Sequence, residues 1–381
     1  MRILLVGDYP RDARLGSTKV LLKLQEEFRG LGHACDVLLA DDIGLTRAGV
    51  HIRRAVAPVA ALAAVRRAFR ERGCYDVVDV ASAESLWLGA LRRIGMLERT
   101  TVVARSNGLE HLDYRRMLDD ADHGLLSKPW TRRLLYPAIR LSQVAAAARA
   151  ADRLIVLNEI DREFAVRRGW KQRDEIDVVP HGISTAFLAS APPSHAPRGA
   201  GLLFCGSWAD VKGVSYLARA FSAVVAAGAP VNLTVVGGGV SEETIRAAFA
   251  PRAQAFVSVR PRVSEDEVMA AYRAHDVLVA PSTYEGFGMV VAEAMSQRLP
   301  VIATPVGCAR TLVADGRSGW VVPPRDAHAL AAAIQRSLSN AEVRRRVGDA
   351  AHDAVRGLTW TATALATLVA YEKAGARNGH A

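Results

Sequence analysis

Asp276-Val277-Leu278-Val279-Ala280 runs directly into Pro281-Ser282-Thr283-Tyr284-Glu285-Gly286-Phe287-Gly288-Met289-Val290-Val291-Ala292-Glu293-Ala294-Met295. The first five residues read as a buried strand, and Val290 to Gln297 as a helix without an internal breaker. The glycines therefore fall at a strand-to-helix turn, where unpaired backbone N–H groups can face an anion. Helical side chains lean toward the helix N-terminus, so Glu293 can point back to the mouth that Glu285 lines. Carboxylate acceptors and N–H donors converge on one small volume. That chemistry suits a ligand rich in hydroxyls and phosphate, such as a nucleotide sugar.

The same alternation extends outward from this segment. In the first half, strand-like runs at Ile3–Val6, Asp36–Leu39, Val77–Val80, Thr101–Ala104, Arg153–Leu157 and Val178-Val179 are separated by helical stretches such as Thr18–Leu31. The Pro/Ala/Gly-rich stretch 189–201 reads as a linker, after which the pattern restarts with strands at Leu202–Cys205, Val231–Val236, Ala255–Val259, Val277–Ala280 and Val301–Ala303 and a helix at Val214–Ala227. Strands alternating with helices predict parallel sheets covered by helices, with ligands at the carboxyl ends of the strands. The expected organisation is residues 1–188, residues 202–358, and a C-terminal segment 359–381 with an apolar helix from about Thr361 to Lys373.

The segment around Glu285 and Glu293 resembles the donor-site signature of retaining glycosyltransferases of family 4. That resemblance implies an α/β protein of the GT-B fold: two Rossmann-like doubly wound domains facing across a cleft, the N-terminal one for the acceptor, the C-terminal one for the donor. It also implies that the last helix crosses back to the N-terminal domain. Carried over by position, Glu285 lies by the donor sugar and Glu293 holds the nucleotide ribose. The backbone of Gly286, Phe287, Gly288 and Met289 holds sugar hydroxyls and phosphate. Lys212, at the mouth of the helix after Phe204-Cys205-Gly206-Ser207, meets the diphosphate as a point charge. Many relatives carry an arginine where this chain has Ser207.

Further positions follow from the same resemblance. Gly16 faces the diphosphate from the acceptor side; it also reads as a plain turn glycine with Ser17 or Thr18 as the helix cap. Asn107 stands where relatives often place a histidine near the donor sugar, and it can still donate and accept hydrogen bonds. His111 reads either as its substitute or as structural. Gly237 and Gly239 match the nucleotide edge, Arg262 and Val263 the loop that cradles the base, and Thr304-Pro305-Val306-Gly307 a turn that shapes the pocket.

The rest of the chain narrows the possibilities. The four cysteines and ten histidines are scattered without metal or redox spacing. Asp120-Ala121-Asp122 spells an Asp-x-Asp pattern but reads as a solvated loop, so no metal and no cofactor are expected. The net charge of +10 is spread along the chain, which argues against nucleic acid and for anionic donors or phospholipid headgroups. Tyr114–Leu141 mixes arginines with aromatic and aliphatic residues, a pattern of membrane-surface helices and of ordinary sheet-covering helices. The expected partners are a nucleotide sugar and a glycan, lipid or small-molecule acceptor, with peripheral membrane contact as one setting. No run is long enough for a membrane span or a secretory signal, so the expected location is the cytoplasm or the inner membrane face. The function implied is transfer of a sugar from a nucleotide-diphosphate sugar to an acceptor hydroxyl with retention and without a metal. A nucleotide-sugar 2-epimerase and a non-catalytic sugar-nucleotide-binding module are the alternatives. A dinucleotide-dependent oxidoreductase is disfavoured, because Gly7-Asp8-Tyr9 lacks the Gly-x-Gly-x-x-Gly spacing.

Overall fold

The alternation resolves into two parallel sheets in the computed structural model, which describes residues 1–12, 15–45, 49–122, 130–229 and 231–377. Strands β1 (Arg2–Val6), β2 (Ala34–Leu38), β3 (Val77–Ala81), β4 (Thr101–Arg105), β5 (Arg153–Val156) and β6 (Ile176–Val178) form one sheet. Its order is β2-β1-β3-β4-β5-β6, every pair parallel. Strands β7 (Leu202–Cys205), β8 (Leu233–Val236), β9 (Val257–Arg260), β10 (Val277–Ala280), β11 (Val301–Ala303) and β12 (Trp320–Val321) form the second, in the order β12-β11-β10-β7-β8-β9. Helices cover both faces, so the central strands β3 and β4 are buried along their whole length. Burial on both faces is why these strands do not alternate apolar with polar; their charged residues, Asp79 and Arg105, are buried too.

In each sheet the strand order reverses once, between β1 and β3 and between β7 and β10. Open α/β sheets bind ligands at the carboxyl ends of the strands beside such a reversal. The core of the first unit gathers Leu4, Val6, Val78, Val80 and Val102 against Val65 and Phe164. That of the second gathers Phe204, Val235, Val277 and Val279 against Leu217, Phe221 and Ile334.

Contacts divide the chain into one unit of residues 1–182 with 360–381 and a second of residues 183–359. The last helix, Trp360–Arg377, thus packs on the first unit: its Tyr371 ring lies 5.9 Å from that of Phe28, and its Tyr371 hydroxyl donates to Asp79 Oδ2 at 2.6 Å. The stretch 189–201 lies within the second unit. There Arg198 Nη1 donates to the carbonyls of Tyr272, Arg273 and His275, and its Nη2 to that of Gln297.

Two local expectations change. The first long helix begins at Gly16, with Leu15 as its uncapped N-cap. Ser17 and Thr18 are therefore inside the first turn, and Thr18 Oγ1 donates to the Pro10 carbonyl at 2.8 Å. Asp120 and Asp122 sit on the helix Glu110–Asp122, not in a loop, and Asp120 is buried in an ion pair with Arg116 at 2.6 Å. Part of the basic stretch noted in the sequence, residues 123–129, lies outside the described residues, as does Arg14 beside Gly16. Among the described residues no helix is long and apolar enough to cross a membrane.

Candidate functional site

The second unit's polar cluster forms where β7 and β10 end. After β7 the chain turns through Gly206 and Ser207, makes a short 3-10 turn at Asp210–Lys212, and enters the helix Val214–Ala226 at Gly213. After β10 it runs through Pro281 to Thr283, turns at Glu285–Gly288, and enters the helix Met289–Ser296. The two exits are stitched together: Thr283 N–H donates to the Val211 carbonyl at 2.8 Å, and Thr283 Oγ1 to the same oxygen at 3.3 Å. Gly213 makes this approach possible. It has φ +69°, and a Cβ there would stand 1.9 Å from the Pro281 carbonyl oxygen.

This stitching delivers Lys212 to Glu285. Lys212 Nζ donates to Glu285 Oε1 at 2.6 Å, and Ser282 Oγ donates to the same oxygen at 2.8 Å. The lysine side chain is 26% exposed and the glutamate 14%, so the pair sits at a surface and not in the core. Among the described residues Glu285 Oε2 accepts no hydrogen bond, which leaves it for a ligand. The loop Thr304–Gly307 backs this turn: Cys308 N–H donates to the Phe287 carbonyl at 2.6 Å, and Thr304 Oγ1 to the Ser282 carbonyl at 2.5 Å. A Cβ on Gly307 would come within 2.4 Å of the Phe287 carbonyl oxygen and 2.8 Å of Glu285 Cβ.

Glu293 lies one level deeper. It is buried, and the Tyr272 hydroxyl donates to its Oε2 at 3.4 Å. Burial holds the Tyr272 phenol well above its ordinary range and pushes the Cys205 thiol up to about 12, with Tyr272 and Glu293 as its polar neighbours. The helix Met289–Ser296 starts at the cluster, and its first-turn N–H groups point out of that end. Ser207 is exposed on the loop after β7, and the neighbouring Trp208 N–H donates to the Gly238 carbonyl at 2.7 Å. Gly237 and Gly239 follow β8, and Arg262 and Val263 follow β9. Ser207, Lys212, Gly237, Gly239, Arg262, Val263 and Glu285 thus follow the carboxyl ends of β7, β8, β9 and β10, and residues 304–307 follow β11.

In the first unit the carboxyl ends of β1, β3 and β4 carry a second cluster. Asn107 Nδ2 donates to the Tyr9 hydroxyl at 3.2 Å, and among the described residues Asn107 Oδ1 is buried without a partner. Ser82 holds φ +50°, a strained value for a non-glycine residue. Its Oγ donates to Glu110 Oε1 at 2.8 Å, while Tyr136 OH donates to Glu110 Oε2 at 2.7 Å. Arg140 bridges two carboxylates, Glu110 at 2.9 Å and Glu84 at 2.9 Å. Burial raises the Glu84 carboxyl. Burial also pushes on Glu110, but the charge and hydrogen bonds of Arg140 outweigh it and hold that carboxyl low. Sequence reading missed Ser82, Glu84 and Tyr9. Gly16 is exposed at the start of its helix. His111 is packed between Phe164 and Trp170, at ring distances of 5.8 and 4.7 Å, and burial lowers its pKa to about 4. This half-buried packing fits the structural reading of His111.

Two open parallel sheets, each with polar side chains at the ends of the strands that flank the reversal, are the architecture of the GT-B fold. Solved structures agree with this fold over the whole chain. The sucrose-phosphate synthase of Thermosynechococcus elongatus superposes with a TM-score of 0.76 at 22% identity, covering 99% of both chains. Anabaena Alr3699/HepE in complex with UDP gives 0.70 at 15% identity, covering 98% of this chain and all of that one (100%). Residues 199–340 match the family model for glycosyl transferases group 1. A D-inositol 3-phosphate glycosyltransferase of Kineococcus radiotolerans is 30% identical over 62% of this chain, and the match takes in 61% of that relative's length. The enzyme of the same name from Xylanimonas cellulosilytica is 30% identical over 81% of this chain and 75% of its own. The chain belongs to the group 1 glycosyltransferases, the family-4 type.

Proposed function

We propose that this chain transfers a sugar from a nucleotide-diphosphate sugar to an acceptor hydroxyl, with retention of anomeric configuration. The observation that carries this reading is the Lys212–Glu285 contact at 2.6 Å, at the mouth of a helix whose N–H groups can face phosphate. Lys212 has two further N–H donors for the diphosphate, and with the first-turn amides of Met289–Ser296 it takes up charge building on the departing nucleoside diphosphate. Glu285 Oε2 accepts from sugar hydroxyls and orients the anomeric carbon, while Glu293 accepts from the ribose. Gly237, Gly239, Arg262 and Val263 border the base, and Ser207 lies beside them on the same unit.

In this reading the acceptor hydroxyl attacks from the face that the leaving phosphate departs, and the phosphate accepts its proton. Lys212 and the amides supply the electrostatic stabilisation, so no divalent metal is required. UDP in the Anabaena structure supports a nucleotide donor as a class. The carboxyl end of the first unit, with Glu84, Glu110 and Arg140, serves the acceptor, which is a lipid, a glycan or a small metabolite. The setting is cytoplasmic.

The test is thermal stabilisation against a panel of nucleotides and nucleotide sugars, with and without EDTA, for the wild type and Glu293→Ala. A ligand that binds only the folded state raises the melting temperature by mass action. A selective shift that survives EDTA and is lost in the variant is expected; no shift with any donor refutes the reading. Ser207, in place of the arginine common in relatives, is what favours the second reading, a non-catalytic sugar-nucleotide-binding module. Binding without donor turnover is the outcome that would select it.

A further inference from the structure

The helix Val50–Arg72 buries one face, Ala57, Ala61, Ala64, Val65 and Ala68, in the core of the first unit. The first half of its solvent side carries large apolar side chains, where a surface helix is ordinarily polar. Ile52 (63% exposed), Val56 and Val59 (56% exposed) lie at helical spacing on one stripe, and exposed Arg66 and Arg70 continue it. The neighbouring segment Trp130–Leu141 exposes Leu134 (64%), Leu135 and Ile139. The two segments touch. Gln143 Nε2 donates to the Ala55 carbonyl at 2.9 Å, and the guanidinium of Arg54 lies 5.3 Å from the Tyr136 ring centre. Arg132 lies over the same ring at 4.0 Å. Among the described residues neither Arg54 nor Arg132 has a carboxylate partner. Stacking on a ring leaves their charges uncompensated.

We propose that this face of the first unit, with Ile52, Val56, Val59, Leu134, Leu135 and Ile139 as its apolar contacts and Arg54 and Arg132 as its cations, docks on an anionic membrane surface. Apolar side chains beside unneutralised guanidinium groups complement a lipid interface, where hydrocarbon lies just beneath anionic headgroups. Tyr136 ties the face to the polar cluster, since its hydroxyl donates to Glu110. Docking here brings the acceptor end of the first unit to the bilayer; that consequence rests on the transferase reading, whereas membrane binding itself does not.

The experiment is sedimentation of the full chain with vesicles of phosphatidylcholine alone and of phosphatidylcholine mixed with phosphatidylglycerol, over a salt series. Binding to the mixed vesicles, weakened by salt, is expected. Each arginine near an anionic surface contributes about fivefold in affinity, so the double variant Arg54→Ala/Arg132→Ala is expected to bind about 25-fold more weakly. Leu134→Ser/Ile139→Ser is expected to weaken binding through the apolar term. Equal binding to neutral and anionic vesicles, no binding by the wild type, or wild-type affinity in both double variants overturns the proposal. Nucleotide-induced thermal shifts, measured on the same proteins, report correct folding. They also separate the two readings: shifts without vesicle binding sink only this inference, and vesicle binding without shifts sinks only the transferase.

Discussion

Lys212 Nζ stands 2.6 Å from Glu285 Oε1 although 73 residues separate them in sequence. The two side chains come from the exits of adjacent strands, β7 and β10, and Ser282 fixes the carboxylate from below. Replacing Lys212 by Met is expected to lower kcat/KM for sugar transfer about 100-fold or more, the usual effect of losing one preorganised charge in a transition state. Steady-state kinetics with the donor found by thermal shift checks it. Lys212→Arg is expected to restore only part of the rate, since a planar fork does not reproduce a point charge. A wild-type rate in Lys212→Met would remove the lysine from the mechanism.

Gly213 offers a test of the scaffold rather than the chemistry. Gly213→Ala places a methyl against the Pro281 carbonyl oxygen and imposes a left-handed φ on alanine. The φ strain alone costs on the order of 1–3 kcal/mol. The variant is expected to unfold at lower urea concentration and to lose donor binding, because the loops carrying Lys212 and Glu285 must part. Unchanged stability with unchanged binding would contradict this account of the site.

Asp79 and Arg105 form a fully buried ion pair, with Arg105 Nη2 at 2.5 Å from Asp79 Oδ2 and Tyr371 OH donating to the same oxygen. Removing one partner of such a pair leaves the other charge unpaired and costs roughly 3–5 kcal/mol. Asp79→Asn is therefore expected to be severely destabilising, and Tyr371→Phe to cost about 1–3 kcal/mol. Limited proteolysis should release the helix Trp360–Arg377 earlier in both variants. Resistance equal to wild type would show that the pair does not hold that helix.

Stability is expected to fall in acid through two histidines. Burial lowers His111 to about 4, and burial with the nearby Arg105 charge lowers His181 to about 3. Both are neutral when folded and take up protons when unfolded below about 6.5, so the unfolded state binds more protons in that window. Stability then rises with pH between the folded and the ordinary values, by at most about 1.4 kcal/mol per unit for the fully buried His181 and by less for the half-buried His111. Asp161 acts oppositely: burial raises it to about 7, so its contribution is lost as pH rises from about 4 through 7. Asp161→Asn is expected to stabilise the protein at pH 8 and to change little at pH 4. Chemical denaturation across pH, for wild type, His111→Phe and Asp161→Asn, checks both signs.

The cluster around Lys212 and Glu285 was legible in the sequence because it is local. Glu285, the glycines and Glu293 sit on one strand-turn-helix segment, and Lys212 on another of the same kind. The cluster in the first unit was not legible, because Tyr9, the pair Ser82 and Glu84, Glu110 and Arg140 come from four separate places, and only the sheet order brings them together. Trp320-Val321 is too short for any periodicity to reveal it as a strand. The Asp-x-Asp at residue 120 looked solvated because Arg116 lies one helical turn away, a pairing invisible until the segment is known to be helical.

The discontinuity of the first unit imposes an order of events during synthesis. Residues 183–359 form a contiguous unit that can collapse while the ribosome is still translating the remainder. The first unit emerges earlier, yet Asp79 and Arg105 lack Tyr371 and its helix until residues 360–377 leave the exit tunnel. The half of the chain made first is therefore the half finished last, and in the interval the surface awaiting that helix is open to chaperones and proteases.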